Sequence, residues 1–195
     1  ATATIGPGST ARPPAAVLPD LTADQRRALA DIEPRLGHYG AFLLHGVTGS
    51  GKTEVFLRLI AKALEAGRQT LLLVPEIGLT PQLVHRLEQR FGSRLAVLHS
   101  GLTDSVRHAA WQRARRGEAG VVVGTRSAVF VPLADAGLVI VDEEHDASFK
   151  QQHGFRYSAR DLAVLRARRL DVPVVLASAT PSLESFHNAV TGRYR

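Results

Sequence analysis

Apolar residues in this chain come in short, nearly unbroken runs, separated by longer stretches in which they recur every three or four positions. The runs at 41–45, 69–74, 95–98, 120–123, 138–141 and 174–177 read as buried strands. Helical stretches lie between them. Thr22 and Gln25 stand at capping-box spacing and open a helix toward Arg35. Residues 52–66 keep a helical period and stop at Gly67, a residue suited to a left-handed cap. Thr80 and Pro81 supply the N-cap and first helical position of a helix that stops near Gly92. Further helices are expected near 104–116, 158–170 and 182–190. Apolar strands alternating with helices predict an α/β fold: a mostly parallel central sheet with helices on both faces. Such sheets bind ligands beyond the carboxyl ends of their strands, so the segments after each run are where chemistry is sought.

Residues 1–20 break this pattern. They are rich in Pro, Ala, Thr and Gly without an apolar period, and read as an extended linker to an upstream domain. The remainder, 21–195, reads as one domain. Composition changes this picture little: 45% hydrophobic and 22% charged residues are ordinary for a globular chain. No apolar run approaches a membrane span and no signal peptide is visible, so no membrane partner is expected. The absence of Cys excludes disulfides and thiolate chemistry within the chain. Met is also absent and the first residue is Ala1, so the chain is expected to be an excised piece of a longer protein. The net charge of +6 favours polyanionic partners, nucleic acid above all, although an ordinary solvated basic surface has the same sign.

Candidate chemistry begins directly after the first strand. Gly46, Val47, Thr48, Gly49, Ser50, Gly51, Lys52 and Thr53 form G-x-x-x-x-G-K-[ST] between a strand and a helix. The glycines let backbone amides wrap a phosphate, and the helix N-terminus adds favourable potential. Lys52 can reach the β- and γ-phosphates of ATP, and Thr53 can ligate Mg²⁺. After the run at 138–141 come Asp142, Glu143, Glu144 and His145. Asp142 is placed to hold Mg²⁺ and Glu143 to deprotonate an attacking water, which with Lys52 makes Glu143 the second catalytic candidate. A strand-end cap or solvated turn would use the same acids differently. His145 can link this box to a neighbouring motif by hydrogen bonds.

Other strand ends suggest nucleic acid. Ser178 and Thr180 in Ala-Ser-Ala-Thr-Pro can bond the acidic box, or cap the next helix. Arg126 and Ser127 offer a cation and a hydroxyl to a phosphate backbone, or form a plain turn. The loop at 149–157 carries Phe149, Lys150, Phe155, Arg156 and Tyr157, aromatics among cations, as single-stranded DNA sites do. Local packing of a long loop is the alternative there. Gln25 can reach an adenine edge, but its capping role is equally natural. His99, Trp111 and the basic stretch at 107–116 receive no chemistry at this stage.

The segments GVTGSGKTEVFL, LLLVPEIGLTPQ, LHSGLTDS, GTRSAVF, IVDEEHDASFKQQHGFRYSARDLAV and SATPS, in this order, resemble the bacterial primosomal helicases of replication restart, a DEAH-like group of superfamily 2. The resemblance covers about residues 21–195 and implies a RecA-like P-loop NTPase lobe, the first of two. It implies that Asp142–His145 is the DEEH form of the DEAH box. His145, Ser178 and Thr180 would couple hydrolysis to movement, and the loop at 149–157 would communicate between DNA and ATP. It further implies a cytoplasmic bacterial enzyme that unwinds DNA 3′ to 5′ at stalled forks. Its partners would be single-stranded and forked DNA, primosome proteins and single-strand binding protein. The family's second lobe with its arginine finger, its upstream DNA-binding domain and its zinc module have no counterpart in these residues, so zinc is expected only elsewhere in the full-length protein. An isolated lobe is then expected to be nearly inactive. Two alternatives remain: a fork-binding module with an idle nucleotide site, and a nucleotide kinase or transport ATPase. The second leaves the serine–threonine and aromatic motifs unexplained.

Overall fold

The computed structural model describes residues 19–195. The linker expected over 1–20 therefore lies, apart from Pro19 and Asp20, outside the described residues. Helices α1 (Ala23–Ile32), α2 (Lys52–Glu65), α3 (Pro81–Phe91), α4 (Asp104–Arg115), α5 (Ala159–Leu170) and α6 (Leu183–Val190) surround a six-stranded sheet. Its strands are β1 (Gly40–His45), β2 (Gln69–Leu73), β3 (Leu95–Leu98), β4 (Val121–Gly124), β5 (Ala136–Val141) and β8 (Pro173–Ser178). All pairings within this sheet are parallel, in the order β1-β8-β5-β2-β4-β3. The α/β architecture expected from the apolar runs is thus present.

Period-two alternation sends the side chains of each strand to two cores. Leu72 of β2 and Leu138 and Ile140 of β5 pack with Leu29, Leu59 and Phe91 under α1, α2 and α3. Leu71, Leu73, Val139 and Val141 point the other way, against Ala110, Ala114 and Ala163 of α4 and α5. Both faces of the sheet are covered, which is why its strands are mostly unbroken apolar runs, with Gln69, Thr70 and Ser178 as buried polar exceptions at their ends. Truncating a fully buried side chain such as Leu59 would cost about 2–5 kcal/mol.

Local signals set the ends of these elements. The Thr22–Gln25 capping box forms in both directions. The helix it starts is shorter than expected: it gives way at Glu33 to a single 3₁₀ turn, Glu33–Arg35, because Pro34 has no amide to continue the ladder. Thr80 caps α3 through Leu83 N, with Pro81 in its first turn. Gly67 and Gly117 follow α2 and α4 in the left-handed region, at φ 73° and 76°. Three features had no periodic signature. A small antiparallel ribbon joins β6 (Lys150–Gln151) to β7 (Tyr157–Ser158) inside the aromatic segment. A 3₁₀ turn spans Arg126–Phe130 after β4. Arg195 pairs along the outer edge of β1, its amide donating to Ala41 O at 2.9 Å and its carbonyl accepting from Leu43 N at 2.8 Å.

Candidate nucleotide and nucleic-acid site

Because every strand of the sheet runs the same way, the segments following β1, β5, β8, β2, β4 and β3 all emerge at one edge. The loop after β1 turns sharply through Gly49 and Gly51, at φ 80° and 81°. A side chain at Gly51 would be strained and would also meet the Gln25 carboxamide. Ser50 N donates to Val47 O at 3.1 Å and closes the loop, and Gly46 N donates to Ser178 O at 3.2 Å, anchoring it to β8. Lys52 curls back: its Nζ donates to Gly46 O at 2.7 Å and to Val47 O at 3.4 Å. Gln25 has both ends of its amide engaged. Its Oε1 accepts from Thr22 N at 2.9 Å, and its Nε2 donates to Ser50 O at 3.1 Å. A cleft of about 630 Å³ opens between α1 and this loop, lined by Gln25, Gly46, Val47, Ser50 and Lys52.

Two strands away, Asp142 N donates to Leu73 O, which carries the β5 ladder one residue past the strand. Glu143 then takes a left-handed backbone, φ 45°, a conformation that costs a non-glycine residue about 1–2 kcal/mol. That reversal lets Glu143 N donate to Asp142 Oδ1 at 3.0 Å. Burial, together with the negative charge of Glu143, pushes the Asp142 carboxyl up from its ordinary 3.8 to about 6, although the Glu143 amide and the Lys52 ammonium pull it down. Lys52 and Asp142 thus share one electrostatic site. A crowded carboxylate of this kind favours a nearby cation. Among the described residues no group of three or more His, Cys, Asp or Glu side chains could cage a metal. The hard oxygens of Thr53 and Asp142 fit Mg²⁺, which is ordinarily held by one or two protein oxygens plus phosphates and water.

His145 reaches the end of β8. Its Nδ1 is 2.7 Å from Ser178 Oγ and 3.6 Å from Glu143 Oε2, and its Nε2 is 3.4 Å from Thr180 Oγ1. Thr180 N donates to Ser178 Oγ at 2.9 Å. The acidic box and the serine–threonine motif are therefore hydrogen-bonded to each other, and Ser182, not Ser178 or Thr180, caps α6.

Glu144 received no role from the sequence, yet its side chain is wholly buried. Its Oε1 accepts from Ser182 N at 2.7 Å. Its Oε2 accepts from Arg160 Nη1 at 3.2 Å, Ser182 Oγ at 3.0 Å and Ser185 Oγ at 2.8 Å. One carboxylate thereby ties the acidic box to the starts of α5 and α6. The signal available was a third acid in the run after the strand, which reads equally well as solvated.

The aromatic segment divides in two. Phe149, expected at a DNA surface, is only 1% exposed. It sits in the core beneath α5, out of a base's reach, because an apolar ring entering the first turn after the box packs inward. Phe155 is 77% exposed, with Lys150 and Arg156 also exposed and Tyr157 half-buried. Phe155 and Tyr157 centroids lie 6.0 Å apart, and Tyr157 meets Phe130 edge-on at 4.9 Å. Arg126 is partly committed, donating to Ser148 O and Lys150 O at 3.2 Å each, so it also holds the base of this segment. Ser127 beside it is exposed.

Comparison with known proteins was decisive at this point: residues 22–189 match the DEAD/DEAH box helicase family. The chain belongs to that family. A DEAD/DEAH box helicase domain binds nucleotide. Replication restart protein PriA of Haemophilus influenzae is 51% identical over 177 residues, covering 90% of this chain and 24% of that protein. The Bacillus subtilis PriA is 49% identical over 176 residues, 89% of this chain and 22% of that protein. The chain therefore spans about a quarter of the length of these relatives. Among solved structures, RecG bound to a three-way DNA junction superposes with a TM-score of 0.65 at 30% identity, over 89% of this chain and 23% of that one. The Pyrococcus furiosus Hef helicase domain shares the fold, with a TM-score of 0.57 at 19% identity over 86% of this chain and 35% of that one. Among the described residues of this DEAD/DEAH box chain, no helix is long and apolar enough to cross a membrane.

Proposed function

We infer that the chain is the ATP-binding lobe of a DNA helicase that restarts stalled replication forks. In this reading it moves 3′ to 5′ on single-stranded DNA and begins primosome assembly. Residues 21–195 form the lobe and 1–20 the linker before it. The observation that carries the inference is the meeting of Lys52, Asp142, Glu143 and the hydrogen-bonded His145–Ser178 pair at one edge of the sheet.

On nucleotide binding, the amides of the loop from Gly46 to Thr53 face the phosphates, and Lys52 exchanges Gly46 O for the β- and γ-phosphates of ATP. Thr53 and Asp142 would hold Mg²⁺, and the ion would supply charge neutralisation at the phosphate oxygens. Glu143, its backbone turned out of the strand, takes the proton of the attacking water. His145, Ser178 and Thr180 transmit the change in the box to β8 and α6. DNA lies over Arg126, Ser127, Lys150, Phe155, Arg156 and Tyr157. The similarity to PriA supports the restart role in a bacterial cytoplasm, with forked DNA, primosome proteins and single-strand binding protein as partners. A second lobe, with an arginine finger worth about 10³–10⁵ in related phosphoryl transfer, would complete the site.

The test is ATP hydrolysis by the full-length protein with and without forked DNA. Stimulation by DNA, abolished in Lys52→Ala, is expected. DNA-independent hydrolysis, or hydrolysis that survives Lys52→Ala, overturns the reading. The 195-residue chain alone should hydrolyse ATP very slowly, and turnover at ordinary helicase rates would contradict the need for a partner lobe.

A further inference from the structure

Two cavities open at the carboxyl edge beyond the nucleotide cleft, and their chemistry differs. The larger, about 740 Å³, lies between α3 and the ends of β3 and β4. Glu76 and Glu88 line it, and neither has an ion-pair partner among the described residues. Two uncompensated carboxylates repel a phosphodiester strand. The smaller, about 370 Å³, lies between α4, the end of β3 and the 3₁₀ turn after β4. No acid lines it. Trp111 and Phe130 form aromatic walls, Arg107 lines it while paired with Asp104 at 3.3 Å, and His99, Ser100 and Ser127 supply polar groups.

This second cavity has the features of a site for a flat heterocycle. Its volume is at the small end of the roughly 300–1,000 Å³ range of ligand pockets. Phe130 is 55% exposed, an unfavourable position for a ring with no ligand to cover it. The Ser100 and Ser127 hydroxyls have no hydrogen-bond partner among the described residues, and only Nδ1 of His99 is engaged, accepting from Gly101 N at 3.1 Å. A further cation, the Arg115 guanidinium, lies 5.7 Å from the indole centroid. The cavity also continues an aromatic path. Phe155, Tyr157 and Phe130 follow one another at 6.0 and 4.9 Å, and Phe130 is both the last ring of that path and the wall of the pocket.

We propose that the cavity between Trp111 and Phe130 binds one unpaired nucleobase of a single strand that crosses Arg126 and Ser127. The base stacks on aromatic rings, and its polar edge meets the Ser100, Ser127 and His99 groups. This inference rests on the DNA-binding reading above and adds a base site whose walls and floor, Trp111, Phe130, His99 and Ser100, have no role in that reading. It implies that the lobe grips a strand by a base as well as by its phosphates, most strongly where the base is free of a complementary strand.

Trp111 is the single Trp of the chain, so its emission reports this pocket alone. The test titrates the 195-residue chain with an end-labelled oligothymidylate and with an abasic phosphodiester strand of the same length. Label anisotropy and indole emission are followed together. Quenching that tracks oligothymidylate binding is expected, with the abasic strand bound about tenfold more weakly and without quenching. Phe130→Ala should weaken oligothymidylate binding about fivefold or more, leaving the abasic strand's affinity unchanged and lowering the melting temperature by only a few degrees through the lost Tyr157 contact. Phe130→Leu should recover little of that loss. Binding with unaltered indole emission, or equal affinities for the two strands, overturns the base site while the DNA-binding reading stands. No anisotropy change with either strand overturns both.

Discussion

Asp142→Asn is expected to melt higher than the parent chain near neutral pH, although it removes a residue of the proposed nucleotide site. The folded protein holds the Asp142 carboxyl at about 6 against an ordinary 3.8, mainly through burial and then through Glu143. Between these two values the folded state binds more proton than the unfolded one, so stability falls as pH rises through the window and levels off above about 6. Roughly two pH units at about 1.4 kcal/mol each give a penalty near 3 kcal/mol at pH 7. Asn keeps an oxygen for the Glu143 amide but must place an amide group, which returns about 1 kcal/mol of the gain. A net gain of about 2 kcal/mol corresponds to roughly 4–8 °C in a chain of this size. The assay is thermal melting of both proteins, free of nucleotide and metal, from pH 4 to 7.5. The gain should be full above about pH 6, fall to zero between about pH 4 and 5, and turn slightly negative near pH 4, where only the cost of placing the amide remains. An Asn variant that melts at or below the parent at pH 7, or a difference that does not change with pH, would refute the electrostatic account of this site.

Further outcomes follow from other contacts. Glu144→Ala removes the buried acceptor shared by Arg160, Ser182 and Ser185, although Arg160 keeps Asp161 at 2.8 Å, and should cost about 1–3 kcal/mol in urea unfolding, with Glu144→Gln losing clearly less; unchanged midpoints would remove Glu144 as a structural tie. Gly51→Ala combines a left-handed backbone with a clash against Gln25, so fluorescent-nucleotide titrations should show binding lost while the global fold, read by circular dichroism, survives. Arg126→Ala frees the Ser148 and Lys150 carbonyls, and hydrogen exchange at the β6–β7 ribbon should accelerate about tenfold or more. Exchange equal to that of the parent would mean that the ribbon holds itself.

The phosphate loop, the acidic box and six apolar strands were readable because each is a local pattern: a fixed spacing, or a run dry on both faces. What escaped the sequence depends on contacts between distant residues. Phe149 and Phe155 have similar neighbours in the chain, yet one fills the core beneath α5 and the other stands in solvent. Strands of two residues, such as β6 and β7, are too short to show a period. Glu144 reads as one more acid in a polar turn until α5 and α6 fold over it and enclose it with Arg160, Ser182 and Ser185. Gln25 was legible as a cap, and the structure adds a second engagement, because α1 packs where its amide also reaches the loop carbonyls. The order of strands in the sheet has no local signature at all. It decides that Asp142, nearly a hundred residues downstream, lies within electrostatic reach of Lys52.

In the proposed reading, the curled-back Lys52 makes nucleotide capture a replacement reaction. An incoming phosphate gains a strong cation only after that cation surrenders a 2.7 Å bond to its own loop, so the free energy released is a difference between two good partners and not the full strength of either. Departure is eased by the same amount, since the spent anion leaves behind a lysine with somewhere to go. Under that reading, a protein that discards product on every cycle would be served by such a built-in competitor, which lowers the net affinity for the phosphate.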